Sequence, residues 1–175
     1  MKEKQIKSEY VFEGKIIKVR RDIVTLPNNK EGVREVVEHS GSCAILAIDG
    51  DEIIFVRQFR YPYGEELLEV PAGKIDKNEK PIEAAIRELR EETGAVCENI
   101  FSLGKIYPSP GFCNEVIFLF YTNKFTIGES SLDKDEFIKI KKIKFDDALQ
   151  MILEGKIVDA KTICAIYKYK EEIKK

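Results

Sequence analysis

The sequence lacks an excess of charge of either sign. It has 29 Lys and Arg residues against 31 Asp and Glu residues, which leaves a formal net charge of −2 at pH 7. The basic residues are also spread along the chain instead of forming a cluster. A nucleic-acid partner would need a basic surface, so we expect none.

Long apolar runs and closely spaced cysteine pairs are also missing. No apolar stretch approaches the length that spans a bilayer, and "MKEKQIKSEY" has no apolar run after its charges. We therefore expect neither a membrane segment nor a signal peptide. The four cysteines are far apart, without CxxC spacing, and are Cys43, Cys97, Cys113 and Cys164. They predict free thiols in a reducing cytoplasm.

The length and composition fit one soluble domain over residues 1–175. The chain is 43% apolar and 34% charged, and 175 residues are enough to bury a core. Strand-like patterns dominate the first two thirds, beginning with "YVFEGKIIKVRRDIVTLP" and ending with "VIFLFY" and "FIKIKKIKF". Helical patterns are predicted at 81–93, at about 146–153 and at about 160–169. The predicted fold class is α/β, of the α+β type.

The segment "GKIDKNEKPIEAAIRELREETGA", residues 73–95, contains the clearest helix signal. Pro81 suits a first helical turn and Gly94 suits the position after the last turn. The N-cap lies between Asn78 and Lys80. One apolar stripe is predicted to face the core, and it consists of Ile82, Ala85, Ile86 and Leu89.

Three glutamates crowd one side of this predicted helix. Glu88, Glu91 and Glu92 are three and four residues apart, so their side chains share one patch. Like charges at that spacing repel by about 1–3 kcal/mol per pair. The patch is either a solvated face with ion pairs through Arg87 or a site for a hard divalent cation. Mg²⁺, or Mn²⁺ as the alternative, prefers such oxygen ligands.

The surrounding residues favour the cation site, because their spacing resembles the Nudix box. The matching positions are Gly73, Glu79, Arg87, Glu88, Leu89, Glu91, Glu92 and Gly94. Ala95 departs from the usual larger aliphatic residue. Three further segments, "RQFRYPYGEELLEVPAGKID", "REVVEH" and "YPSPGFCNE", are similar to the ADP-ribose pyrophosphatase subgroup of the Nudix hydrolases.

This resemblance implies a Nudix fold, an α/β/α sandwich with a mixed β-sheet, and a metal site. Glu88 and Glu92 would be metal ligands, Glu91 would support them, and the carbonyl of Ala72 would add an oxygen. Two more residues, Glu79 and Arg87, would form an ion pair that holds the helix against its loop. A divalent cation would neutralise and orient the pyrophosphate of the substrate.

The resemblance also assigns substrate contacts. Arg57 and Arg60 would bind phosphate oxygens, for which guanidinium groups are well shaped. Arg34 and Glu35 would hold the adenine end, in part from a neighbouring subunit, and Ser109 would lie near the terminal ribose. A homodimer is therefore expected, with the strands of residues 10–39 in contact across it. His39 and Glu115 receive no role.

A general base is expected outside the box, because the box carboxylates would be occupied by metal. The loop "SLDKDEF" is the candidate, and Glu136 matches by position the glutamate of the corresponding loop in the subgroup. Asp135 or Asp133 would take the role if the loop register differs. The alternative is that this loop is an ordinary solvated acidic turn.

The function implied is metal-dependent hydrolysis of ADP-ribose to AMP and ribose 5-phosphate. One alternative is a Nudix pyrophosphatase for a nucleotide sugar or a dinucleoside polyphosphate. Another is a Nudix module that senses a nucleotide without cleaving it. The presence of all three glutamates, Glu88, Glu91 and Glu92, argues against that last alternative.

Overall fold

A computed structural model of the chain describes residues 1–132 and 137–174. Two compact units can be distinguished. The first comprises Met1–Gly41 and Tyr107–Val116, and the second comprises Ser42–Ile106 and Ile117–Lys175. Each unit is described by itself below.

The first unit is built on a three-stranded antiparallel sheet in the order β1-β2-β3. Its strands are β1 (Lys4–Glu13), β2 (Lys18–Thr25) and β3 (Glu31–Glu38). The predicted strand run "YVFEGKIIKVRRDIVTLP" is therefore two strands, joined by a turn in which the Gly14 N–H donates to the Ile17 carbonyl at 2.9 Å. Val37 ties the second segment of this unit to β3, because its N–H donates to the Phe112 carbonyl at 2.7 Å.

The second unit contains a seven-stranded mixed sheet. Its strands are β4 (Ser42–Asp49), β5 (Glu52–Arg60), β6 (Glu65–Glu69), β7 (Ala72–Lys74), β9 (Phe101–Ile106), β10 (Ile117–Thr122) and β12 (Ile138–Lys144). The main order is β12-β5-β4-β10-β9, while β6 pairs with β5 and β7 with β4. Only β4 and β10 are parallel among these pairs. Two short strands, β8 (Ala95–Cys97) and β11 (Phe125–Ile127), pair separately.

Helices cover both faces of this sheet, which confirms the predicted sandwich. Side chains of β4 alternate between the faces, as strand geometry requires. Leu46 packs in a cluster with residues of α2 (Phe145–Leu153) and α3 (Ala160–Glu172). Ile45 packs in a second cluster with residues of α1 (Pro81–Thr93). Both faces are apolar because both are buried.

The helix α1 has the predicted limits, but its buried face differs from the prediction. Gly94 follows it with φ of 73°, in the left-handed region that ends many helices. The predicted stripe was wrong at Ile82 and Ile86, which are 38% and 36% exposed. The core face instead includes Ala84 and Leu89, because the small alanine lets the helix approach the sheet closely.

The two C-terminal helices are also close to their predicted positions, although α3 continues three residues beyond the prediction, to Glu172. The Asp159 side chain caps α3 by accepting from the Thr162 N–H at 3.0 Å. Within residues 1–132 and 137–174, every helix is too short or too polar to cross a bilayer.

Candidate active site

Strand β7 and helix α1 meet at Gly73, where there is no room for a side chain. Because β7 pairs with β4, Gly73 is held against the sheet while α1 packs across it. A Cβ atom on Gly73 would lie 2.0 Å from the carboxyl carbon of Glu88. A side chain at position 73 would therefore displace the Glu88 carboxylate from the strand.

Arg87 lies at the centre of the carboxylate cluster. Its Nε and Nη2 donate to the two Glu79 oxygens at 2.9 and 3.0 Å. Its Nη1 donates to Glu88 at 2.8 Å and to Glu91 at 2.9 Å. Nη2 also donates to the Lys74 carbonyl at 3.1 Å. One guanidinium therefore joins the loop before α1 to the helix and to β7.

These contacts shift the ionisation of the paired groups. The hydrogen bonds from Arg87 are the main reason why the pKa of Glu79 is lowered, and the Glu79 hydrogen bonds in turn raise the pKa of Arg87. A carboxylate with a lowered folded-state pKa stabilises the fold above its ordinary pKa. That contribution is lost as pH falls through the lower, folded-state value.

Glu92 lies one turn after Glu88 on the same helix and faces inward. It is only 4% exposed, and its Oε2 accepts from the Ala72 N–H at 3.1 Å. Glu92 comes three residues after the buried Leu89, so the core-facing side of α1 directs it inward. The glutamates therefore flank the segment 72–73 from two positions on one helix.

The donor set fits a hard divalent cation. Arg87 brings one positive charge to three carboxylates, those of Glu79, Glu88 and Glu91, so negative charge remains in excess. Carboxylate and carbonyl oxygens are the ligands that Mg²⁺ takes in proteins. In the part of the chain that the structure describes, no three acidic, histidine or cysteine side chains already converge on one point suited to a metal ion.

A buried thiol lies behind Gly73 in the core. Cys43 is fully buried, and its Sγ is 3.6 Å from the Gly73 carbonyl oxygen, to which it donates a weak hydrogen bond. Burial raises the pKa of Cys43 to about 12, so it is a neutral thiol at physiological pH. All four cysteines are free, as the sequence predicted.

The strand β6 ends in a second charged cluster, centred on Glu69. This carboxylate is 1% exposed and accepts from Arg60 Nε and Nη2, both at 2.6 Å. Lys161 Nζ donates to it at 2.5 Å. Burial raises the pKa of Glu69, but Arg60 and Lys161 outweigh that effect, and the net pKa is lowered. Arg60, predicted to bind phosphate, thus has one edge of its guanidinium fixed by Glu69.

Arg57 has a looser environment than Arg60. It lies on the exposed surface of β5, with its Nη1 4.0 Å from a Glu66 oxygen. Glu66 also accepts from Lys139 at 3.5 Å. An ion pair of this kind is weak, so the side chain of Arg57 has freedom to move.

The remaining predicted substrate residues belong to the first unit. Arg34 donates to Glu3, with its Nε at 2.9 Å. Glu35 lines a cavity of about 380 Å³. The other lining residues are Val11, Val19, Arg21, Val37 and Phe112. The Ser109 carbonyl accepts from the Cys113 N–H at 2.9 Å and so closes the turn of the "YPSPG" segment.

Two further residues of the first unit have structural contacts. His39 Nδ1 accepts from the Gly41 N–H at 3.1 Å and lies 3.6 Å from a Glu115 oxygen.

The predicted base, Glu136, and its alternatives, Asp133 and Asp135, lie outside the described residues.

The sequence prediction missed the Glu69 cluster. The signal that could have indicated Glu69 is a charged residue in the apolar run "LLEVPAG", directly before the box. A buried carboxylate needs a cation, and Arg60 lies only nine residues before Glu69 in the chain. Lys161 is 92 residues away, and no local pattern connects it to Glu69.

A strand-loop-helix cluster of carboxylates on a mixed α/β/α sandwich defines the class of the protein, a Nudix-type hydrolase fold. The model of the NUDIX domain matches residues 38–166. A second family model, the nucleoside diphosphate sugar hydrolase N-terminal domain, matches residues 3–37. The chain belongs to the Nudix hydrolase family.

Relatives extend the likeness over most of the chain. An ADP-ribose pyrophosphatase of Bacillus subtilis (strain 168) is 40% identical over 95% of this chain and 91% of its own length. A methanol dehydrogenase activator of Bacillus methanolicus is 41% identical over 94% and 90%. The crystal structure of an ADP compounds hydrolase superposes with a TM-score of 0.89, covering 99% of this chain and 95% of that one. At 20% identity, that structure supports the fold alone.

The contact between Gly73 and Glu88 can be tested with a single added methyl group. We expect Gly73→Ala to displace the Glu88 carboxylate and to weaken Mg²⁺ binding by about tenfold or more, since the carboxylate would lose its place beside β7. Titration calorimetry with Mg²⁺ measures the effect. Gly111→Ala is the matched control, because nothing lies within 4 Å of the position of its added Cβ. Equal Mg²⁺ affinity in both variants would contradict this account of the site.

Proposed function

We propose that this protein hydrolyses the pyrophosphate bond of ADP-ribose to AMP and ribose 5-phosphate. The observation that carries the proposal is the Arg87-centred carboxylate cluster packed against Gly73, in a chain 40% identical to an ADP-ribose pyrophosphatase. In the reaction one P–O bond of the pyrophosphate breaks. Water supplies the new P–O bond and the protons that the products carry or release.

The box residues would hold a divalent cation, Mg²⁺ or alternatively Mn²⁺. Glu88, Glu92 and the Ala72 carbonyl would hold it, with Glu91 in support. When bound, the ion neutralises and orients the charged pyrophosphate. Arg87 and Glu79 keep α1 in place against the preceding loop, so these oxygens remain directed to one side.

The other predicted residues would recognise the ends of the substrate. Arg60 is the better oriented phosphate ligand, because Glu69 fixes one edge of its guanidinium. Arg57 would supply a second, more mobile charge. In the first unit, the cavity beside Glu35 combines apolar side chains with Arg21 and a carboxylate, a composition suited to a purine. Arg34 would contribute at the same end, and Ser109 at the terminal ribose.

A nucleotide sugar is the second candidate substrate. It is favoured by the match of residues 3–37 to the N-terminal domain of nucleoside diphosphate sugar hydrolases. A dinucleoside polyphosphate is a further alternative. A sensing module without catalysis is disfavoured, since Glu88, Glu91 and Glu92 are all present. We further propose that residues 1–175 act as one catalytic domain in the cytoplasm, where free thiols persist.

Substrate choice can be measured directly on a panel of compounds. With Mg²⁺ and with Mn²⁺, we expect ADP-ribose to show a higher kcat/KM than nucleotide sugars, dinucleoside polyphosphates or nucleoside triphosphates. Phosphate-coupled or chromatographic product assays identify AMP and ribose 5-phosphate. A nucleotide sugar preferred by tenfold would replace ADP-ribose as the substrate. Absence of turnover on the whole panel would support the sensing module.

Glu136 is proposed as the general base, which accepts the proton of the attacking water. Glu136→Gln should lower kcat with little change in KM, because it removes an interaction made in the transition state. The Glu136→Gln variant should keep a Mg²⁺ affinity near that of the wild type. The Glu92→Gln variant should instead bind Mg²⁺ more weakly and should lose turnover by about 100-fold or more. If Asp135→Asn or Asp133→Asn lowers kcat instead, the base is that residue. If none of the three matters, the base belongs to the box.

A homodimer is proposed through the N-terminal strands of residues 10–39. The whole of β1 is exposed within this chain, although it carries the large apolar side chains of Ile6, Tyr10, Val11 and Phe12. Exposed apolar patches of this kind mark interaction surfaces.

The oligomeric state tests that proposal. We expect a dimer at micromolar concentration by multi-angle light scattering, and a monomer with reduced activity for Phe12→Asp. Lys7→Asp is the control, since it introduces the same side chain at an exposed polar position of β1. A fully active wild-type monomer would refute the dimer.

A further inference from the structure

The backbone segment 69–73, which leads into the Nudix box, is held at every residue by a different partner. Glu69 accepts from Arg60 and Lys161. The Val70 N–H donates to Thr162 Oγ1 at 2.9 Å, and the Pro71 carbonyl accepts from the Ile45 N–H at 2.9 Å. The Ala72 N–H donates to Glu92 at 3.1 Å. The Gly73 carbonyl accepts from the Cys43 thiol at 3.6 Å. Two of these partners, Lys161 and Thr162, come from the first turn of α3, far outside the box.

That first turn is itself organised by Asp159. Its Oδ2 accepts from the Thr162 hydroxyl at 2.6 Å, and its Oδ1 accepts from Lys161 Nζ at 3.0 Å. The single hydroxyl proton of Thr162 is therefore given to Asp159, which leaves an oxygen lone pair for the Val70 N–H. Thr162 is fully buried, so the Val70 N–H would have no water to replace this acceptor.

Lys161 completes a compact network of alternating charges. Its side chain is 13% exposed and lies between the carboxylates of Glu69 and Asp159. A buried carboxylate that loses one of its cations becomes strongly unfavourable. We expect Glu69 and the backbone beside it to shift when Lys161 is removed. Pro71 alone separates Val70 from Ala72, and its ring restricts φ. We therefore expect a displacement of Val70 to reach Ala72.

We propose that Lys161 and Thr162 are positioning residues of the active site, which set the place of the Ala72 carbonyl and of Arg60 through Glu69 and Val70. This inference rests on the proposed function, in which Ala72 holds the cation and Arg60 the phosphate. It assigns to the C-terminal helix α3 a part in catalysis that the Nudix box does not contain. In this proposal both residues act through Glu69 and Val70 instead of contacting the substrate.

Thr162→Val and Lys161→Met test the proposal, because each nearly conserves volume and removes one polar function. We expect both to raise the Mg²⁺ concentration for half-maximal ADP-ribose hydrolysis by about tenfold, the usual effect of losing a partner behind a metal site. Both should also reduce the Mg²⁺-induced increase in Tm. Lys161→Met should raise KM in addition, because Arg60 loses the fixed position of Glu69.

Conservative variants and a control on the same helix separate positioning from stability. Thr162→Ser and Lys161→Arg keep the hydroxyl or the charge and should return the Mg²⁺ requirement to within about threefold of wild type. Lys168→Met makes the same change as Lys161→Met at an exposed position of α3. It should alter neither the Mg²⁺ requirement nor KM.

The outcomes distinguish this proposal from the proposed function. Variants with a lower Tm but an unchanged Mg²⁺ requirement and unchanged KM would show that the contacts are structural only, and would overturn the proposal. If Lys161→Met does not fold, the difference between Thr162→Val and Thr162→Ser decides. If the wild type does not cleave ADP-ribose, the proposed function fails, while the Mg²⁺-induced change in Tm still tests the positioning role.

Discussion

The arrangement of the candidate active site depends on one guanidinium, that of Arg87. Without it, Glu79, Glu88 and Glu91 would repel one another, and the loop before α1 would have no strong link to the helix. Arg87 is sufficient to hold these groups in place but insufficient to neutralise them. The same contact therefore makes the fold of this region stable and leaves it with the negative charge that a divalent cation requires.

The segment 69–73 lies where the two helical layers can both reach it. Glu92 approaches from α1, which packs on one face of the sheet, and Thr162 and Lys161 approach from α3, which packs on the other. A short backbone segment fixed from both layers moves little, and a metal site needs such rigidity in its oxygens. The helix α3 therefore contributes to the position of the segment 69–73, although it carries none of the box residues.

The two units of the chain contain different kinds of chemical group. The second unit contains the charged groups suited to metal and phosphate, including Arg60. The first unit contains a cavity lined by apolar side chains together with Glu35 and Arg21, and an exposed strand, β1. In the proposed function, cleavage depends on the second unit, whereas the choice between an adenine nucleotide and a nucleotide sugar depends on the first.

The sequence alone determined the family and the limits of α1, because these depend on helix ends such as Pro81 and Gly94 and on short spacings within the box. The mixed sandwich was implied only by the resemblance to that family. Only the tertiary structure decided which face of α1 is buried. Ala84 is buried and Ile82 is exposed, because close packing on the sheet outweighs the hydrophobicity of a single residue. It also decided that Glu69 is buried and that Lys161, 92 residues later, pairs with it. Such a contact leaves no local pattern, since it arises only when the fold brings distant elements together.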